Sequence, residues 1–202
     1  MDISTYIWSI PALVIAIVGH EIGHGYVSYL LGDETAKRDG RLSLNPLDHI
    51  DPIGLLFMIV FRFGWAKAVP INPSYYKNRK VGTILVSLAG VMVNFIFAII
   101  GALLFVWTSK HQFVISNFFL HFLWYNTMLG VFNLVPLPPL DGSKVLASLL
   151  PAKTEFFFYQ YEKYFYWILF LGVVTGVIPR IIGPVVEGLI DLFVQVGVSL
   201  VP

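Results

Sequence analysis

His20, Glu21 and His24 fall within five residues of one another in a stretch that is otherwise uncharged from Tyr6 to Leu31. An ionisable side chain in a membrane helix costs about 2.5–3.5 kcal/mol on insertion scales, so three of them together point to a function. On an α-helix, positions i and i+4 differ by about 40° of rotation and ~6 Å of rise, so both imidazoles leave one face and can hold one ion. Glu21 sits about 100° round, beside the ion rather than on it, where a carboxylate can take a proton from water. This is the His-Glu-x-x-His spacing. Gly19, Gly23 and Gly25 leave the surrounding helix surface nearly bare, open to another helix or to a peptide backbone. The plainer account is a pair of core histidines bonded to a neighbouring helix, but it leaves Glu21 between them unexplained.

Two histidines leave a catalytic zinc one ligand short of the usual three. The chain has no cysteine, so the third must come from His, Asp or Glu. The stretch Asn133 to Gly142 carries Pro136, Pro138 and Pro139, which remove backbone donors and end a helix, followed by Asp141. His24 lies seven residues before the end of its segment, ~10 Å deep by helical rise, a depth compatible with Asp141 at the same end of its own. Asp141 as a simple N-cap of Gly142 to Leu150 is the alternative.

The elements that must position these residues are membrane segments. Tyr6 to Leu31 is long enough to cross a hydrocarbon core of about 30 Å. Its lack of a basic start, the first Lys or Arg being Lys37, favours a retained span over a cleaved signal peptide. Val81 to Ser109 and His111 to Leu140 are uncharged and long enough to span. Tyr164 to Pro179 is a short further segment, and Ile181 to Val201, broken by Glu187 and Asp191, is a doubtful last one. Ile53 to Phe61 is too short to cross and is expected to be re-entrant or interfacial. The fold class is therefore all-α and polytopic, with five to six membrane segments and a small membrane-associated β-hairpin region at about 40–73. The chain reads as a single domain, 1–202, with a core at about 6–150 and C-terminal helices at 157–202.

Composition agrees. Of 202 residues, 57% are hydrophobic and only 12% charged, against about 25% in soluble chains, and the mean hydropathy is +0.77. A net charge of +1 removes the electrostatic case for nucleic acid. Eight of the 13 Lys and Arg residues lie between Gly32 and Lys80, so the positive-inside rule puts that loop in the cytoplasm and the N-terminus outside. Strict alternation from there puts Lys110 outside, Lys144, Lys153 and Lys163 inside, Arg180 outside and the C-terminus inside if the last segment spans.

Gly40 to Leu44 alternates, Arg41 and Ser43 against Leu42 and Leu44, as a short strand would, and its edge could hold an unwound peptide by β-augmentation. A plain surface hairpin fits equally well. Asn94, with Gly90 four residues before it, is either a helix-packing contact or a site residue. His49 is expected to order its loop, and His111 and His121 to sit at an interface. Met128 and Phe118, Phe119, Phe122, Trp124 and Tyr125 read as lipid or packing surface, and Glu187 with Asp191 as a wet helix edge.

Taken together, the chain resembles the site-2 protease family of intramembrane zinc metalloproteases. The resemblance rests on His20-Glu21-Ile22-Gly23-His24 and on Asn133 to Gly142 read as N-x-x-P-x-x-P-x-D-G. It extends to Gly40 to Pro46 with His49-Ile50-Asp51-Pro52, to Gly64 to Lys67 with Asn72-Pro73, and to Gly90-x-x-x-Asn94. It covers about residues 10 to 150. The resemblance implies one zinc ion held by His20, His24 and Asp141, with Glu21 as catalytic base. It implies Asn133 near the substrate or developing oxyanion; Asn94, Leu42 and Leu44 join it as candidate substrate contacts. It also implies a membrane-spanning protein as substrate, the lipid bilayer as surroundings and a prokaryotic cell membrane as location, with the site toward the cytoplasm. No PDZ-like or CBS-like insertion is visible, and Ala68 stands where many relatives have proline.

Two other classes fit parts of the pattern. A transporter could use the same four residues as a proton or metal relay, though its charges would be spread through several spans. A non-catalytic adaptor binding membrane helices would have no use for Glu21.

Overall fold

The computed structural model describes residues 3–51, 53–54 and 66–201. The chain forms a helical bundle. Helix α1, Ile3–Leu30, runs through Pro11 without ending, as membrane helices tolerate when neighbours satisfy the freed carbonyl. A single turn, α2 at Thr35–Arg38, follows. Helix α3, Arg79–Lys110, starts at Asn78, whose side chain accepts from Val81 N–H, and ends on Lys110, a cation suited to the negative end of the helix. Then come α4, Ser116–Asn133, and three shorter helices, α5 at Asp141–Leu149, α6 at Ala152–Gln160 and α7 at Glu162–Val174. Helix α8, Val177–Leu200, closes the chain.

Among the described residues, three helices are long and apolar enough to cross a membrane, over Thr5–Leu30, Arg79–Lys110 and Val177–Leu200. The expected span at 111–140 contracts to the 18 residues of α4. Its apolarity is diluted by Asn117, His121, Asn126, Thr127 and Asn133, yet it packs against both α1 and α3. Small residues bring these helices close. A Cβ on Gly101 of α3 would stand 3.0 Å from the Phe122 ring and 3.1 Å from Leu123 N, and Gly197 of α8 faces Val106 and Ala102. Ala98, Ala102 and Leu123 are fully buried, with Ile190, Phe193 and Val194 of α8 laid on them.

The expected alternation at the C-terminal end is corrected. Helix α7 has 13 residues, about 20 Å, and cannot cross. Its Leu169 packs with Leu140 and with Ile178 at the start of α8, and Gly176, at φ +77°, makes the turn between the two helices. Helix α8 then runs along α3 until Lys110 Nζ donates to Val201 O at 2.7 Å. The C-terminus therefore lies at the Lys110 end of the bundle, and the start of α8, two residues before Arg180, packs through Ile178 on Leu140, next to Asp141.

Among the described residues there is no strand, and the 40–73 region contributes one isolated antiparallel bridge, Ile50 with Ala66. Among those residues Gly40 to Leu44 forms no ladder, and Arg41 N–H is spent on Ala36 O at 2.8 Å, closing α2. Apart from Ile53 and Gly54, the run Ile53 to Phe61 lies outside the described residues, as do Pro52, Gly64 and Trp65.

Candidate metal centre

Helix α1 presents two adjacent stripes to different neighbours. His20 and His24, one turn apart, face α3, while Glu21, Gly25 and Ser28 face the chain at 69–76. Asp141 reaches the histidines from the first turn of α5. Its placement depends on Gly142, where a Cβ would run into the Leu134 carbonyl and stand 2.8 Å from Val135 O, so the proline-rich turn can fold tightly under α5. Asp141 does not cap its helix: Leu140 holds the N-cap position, and the carboxylate is turned to the histidines.

Three atoms converge. His20 Nε2 is 3.1 Å from Asp141 Oδ2, His24 Nε2 is 2.9 Å from the same oxygen, and the two Nε2 atoms are 2.9 Å apart. All three residues are buried, and they are the one group of this kind among the described residues. The protons on the rings are decided by what lies behind them. His20 Nδ1 is 2.7 Å from Asn94 Oδ1 and His24 Nδ1 is 2.7 Å from Val86 O, both acceptors, so both Nδ1 atoms carry the hydrogen and both Nε2 atoms present lone pairs. Two lone pairs and a carboxylate oxygen pointing at one another repel unless a cation lies among them. Tetrahedral zinc with bonds of about 2.0–2.1 Å places its ligand atoms about 3.3 Å apart, within a few tenths of an ångström of this triangle. The donor set fits.

Behind His20 runs a buried chain of amides. Asn94 Nδ2 donates to Ala16 O at 3.1 Å and to Asn126 Oδ1 at 3.0 Å, and Asn126 Nδ2 donates to Phe122 O at 2.8 Å. With both donors spent on protein, the Asn94 oxygen has one orientation, toward His20. Asn94, read from the sequence as either a helix-packing contact or a site residue, is fully buried, with its oxygen on His20 Nδ1. Asn126 went unnoticed in the sequence; its signal was an uncharged but strongly polar residue in the middle of an apolar helix, the same signal that singled out Asn94.

Glu21 is half-buried, and its Oε2 accepts from Val69 N–H at 2.9 Å. Asn133 is also half-buried, at the end of α4, with Nδ2 donating to Leu129 O at 3.0 Å. Leu42 packs over Gly25, where a Cβ would stand 2.6 Å from its Cδ2. Leu44 is 83% exposed and Glu187 and Asp191 are exposed on α8, so the structure gathers none of these three at the centre. His49 is buried and bonds Ser43 O at 2.8 Å, which orders its loop as expected. Lys144 donates to Asp141 Oδ1 at 3.1 Å, leaving Oδ2 for the histidine side. A cavity of about 420 Å³ adjoins His24 and Asp141 and follows Ser87, Thr83 and Arg79, successive i−4 positions, toward the start of α3.

The profile described as Peptidase family M50 matches residues 106–177. YwhC of Bacillus subtilis (strain 168), named as a zinc metalloprotease, is 35% identical over 183 residues, 87% of this chain and 84% of that protein. Rip2 of Mycolicibacterium smegmatis, also named as a zinc metalloprotease, is 30% identical over 162 residues, and the chain spans 61% of its length. The zinc metalloprotease MJ0392 of Methanocaldococcus jannaschii is 30% identical over 143 residues, 34% of its length. No solved structure matches the chain. The chain belongs to peptidase family M50.

Proposed function

We propose that this member of peptidase family M50 is a zinc metalloendopeptidase that cuts other membrane proteins within or near their transmembrane segments. One observation carries the reading: two imidazole Nε2 atoms and a carboxylate oxygen lie 2.9–3.1 Å apart, and both histidines stand on α1, a helix long and apolar enough to cross a membrane, one residue of which, Glu21, brings a second carboxylate. His20, His24 and Asp141 would hold one zinc ion, which when bound supplies Lewis acidity and lowers the pKa of water toward about 7.

The remaining work falls to the chain. Asn94 and the Val86 carbonyl keep both rings in the ligating tautomer. Val69 N–H holds Oε2 of Glu21, and the other oxygen of that carboxylate takes the proton of the attacking water and returns it to the leaving amine. Asn133, with one N–H spent on Leu129, has a second to offer the developing oxyanion. A helical substrate hides its carbonyls in i to i+4 bonds, so spans weakened by Gly or Pro near the cut are the preferred substrates.

Residues 1–202 would act as one domain, with α8 laid against the core. The positive charge of loop 32–80 supports a centre toward the cytoplasm, and the bacterial and archaeal relatives support a prokaryotic cell membrane. The test is direct: elemental analysis of purified protein for zinc, then cleavage of a single-span protein by wild type and by Glu21→Gln. One zinc per chain, and cleavage abolished in the variant with zinc retained, are expected. A zinc-free protein, or a Glu21→Gln variant as active as wild type, would remove the reading.

A further inference from the structure

The carboxylate of Asp33 has no part in the centre described above, yet it is fully buried and receives four hydrogen bonds. Oδ1 accepts from Thr35 N at 3.0 Å and Thr35 Oγ1 at 2.5 Å, both local to its own turn. Oδ2 accepts from Ser28 Oγ at 2.8 Å and, across the fold, from Asn72 N at 2.7 Å. The two oxygens thus do different things. One shapes the turn after α1, and the other ties the end of α1 to a distant stretch of chain.

That stretch is the one that holds Glu21. Residues 69–76 lie along the α1 stripe of Glu21, Gly25 and Ser28, which recurs at i, i+4 and i+7 and so stays on one side of the helix. Val69 N–H donates to Glu21, the Val69 side chain packs where Gly25 has no Cβ, and Tyr76 OH bonds Ser28 Oγ at 2.7 Å. Between Val69 and Tyr76, the bond from Asn72 N–H to Asp33 keeps this segment against the helix. Val69 N–H can be aimed at Glu21 only while the segment stays there.

We propose that Asp33 is a positioning residue for Glu21: through Asn72 it braces segment 69–72, whose Val69 N–H fixes one oxygen of the base and leaves the other for the reaction. The inference rests on Glu21 being that base. A carboxylate free to rotate loses alignment with the attacked bond, and misplacement by about 1 Å can cost on the order of 100-fold in rate.

Two measurements test this on the zinc-loaded full chain. In cleavage of a single-span protein, Asp33→Asn should lower kcat by about tenfold or more, leaving KM within about twofold and zinc content unchanged. Thr35→Val, which removes only a bond to the local oxygen, should leave kcat at the wild-type value. In amide hydrogen exchange, Asp33→Asn should speed exchange at both Asn72 and Val69, whereas Glu21→Ala should speed it at Val69 and leave Asn72 protected. An Asp33→Asn enzyme with wild-type kcat overturns the proposal. So does a Thr35→Val enzyme as slow as Asp33→Asn, loss of zinc or fold in Asp33→Asn, or unchanged Val69 exchange in that variant. Should the wild type cut nothing, the reading of the function fails, and the exchange data still decide whether Asp33 holds Val69 in place.

Discussion

Gly90 lies directly against His24: a Cβ at position 90 would stand 2.6 Å from His24 Nε2 and 2.8 Å from His20 Cε1. The side chain that Gly90 lacks would occupy the space of the converging lone pairs, so α3 itself forms one wall of the centre. Gly90→Ala is therefore expected to keep the bundle and lower zinc affinity by at least about tenfold, a loss on the scale of removing a supporting partner. Chelator competition on the purified variant measures it; wild-type affinity would show that the rings can move aside without cost.

The amide chain behind His20 makes a graded prediction. Asn94→Leu removes the acceptor of His20 Nδ1–H and should weaken zinc binding by about 10- to 100-fold. Asn126→Leu acts only through Asn94 and should weaken it less. Equal losses in both would mean that the helices need these residues for packing and the ring orientation does not depend on them.

The contact of Lys110 with Val201 sets the orientation of the last helix. Single cysteines at Lys110 and Ser199 should react with an impermeant thiol reagent from outside intact cells, and cysteines at Lys37, Lys77 and Arg180 should resist it. Protection at Ser199 together with labelling at Arg180 would restore the strict alternation that the structure replaces.

Asp33 also gives a pH dependence. Burial alone would raise its carboxyl, but the N–H of Asn72, the hydroxyl and N–H of Thr35 and the hydroxyl of Ser28 hold it below its ordinary value of 3.8. A carboxyl depressed in the folded state stabilises the fold above its unfolded pKa, and that stability is lost as pH falls through the folded value. In thermal unfolding, wild type should therefore exceed Asp33→Asn by its full margin at neutral pH, and the margin should shrink as the pH drops below about 4. A constant margin down to pH ~2 would mean that the ionised carboxylate is not what stabilises the loop.

The chemistry was legible in the sequence because it is local. Helical spacing alone puts His20 and His24 on one face and Glu21 beside it, and the chemistry of zinc asks for one more ligand, for which the proline break points to Asp141, a residue that the fold does bring to the two histidines. Composition alone demands lipid around most of the surface. Bonds between residues 74 and 121 positions apart, such as His20 with Asn94 and with Asp141, have no local signature. Only packing decided that the Asn94 oxygen meets His20, that Gly90 leaves room for two imidazoles, and that Val69 N–H reaches Glu21. The direction of α8 belongs with these: an apolar run of suitable length fits either orientation in a bilayer. What decides is that α7 is too short to cross and that Gly197 and the small residues of α3 let the last helix lie against it with its end at Lys110.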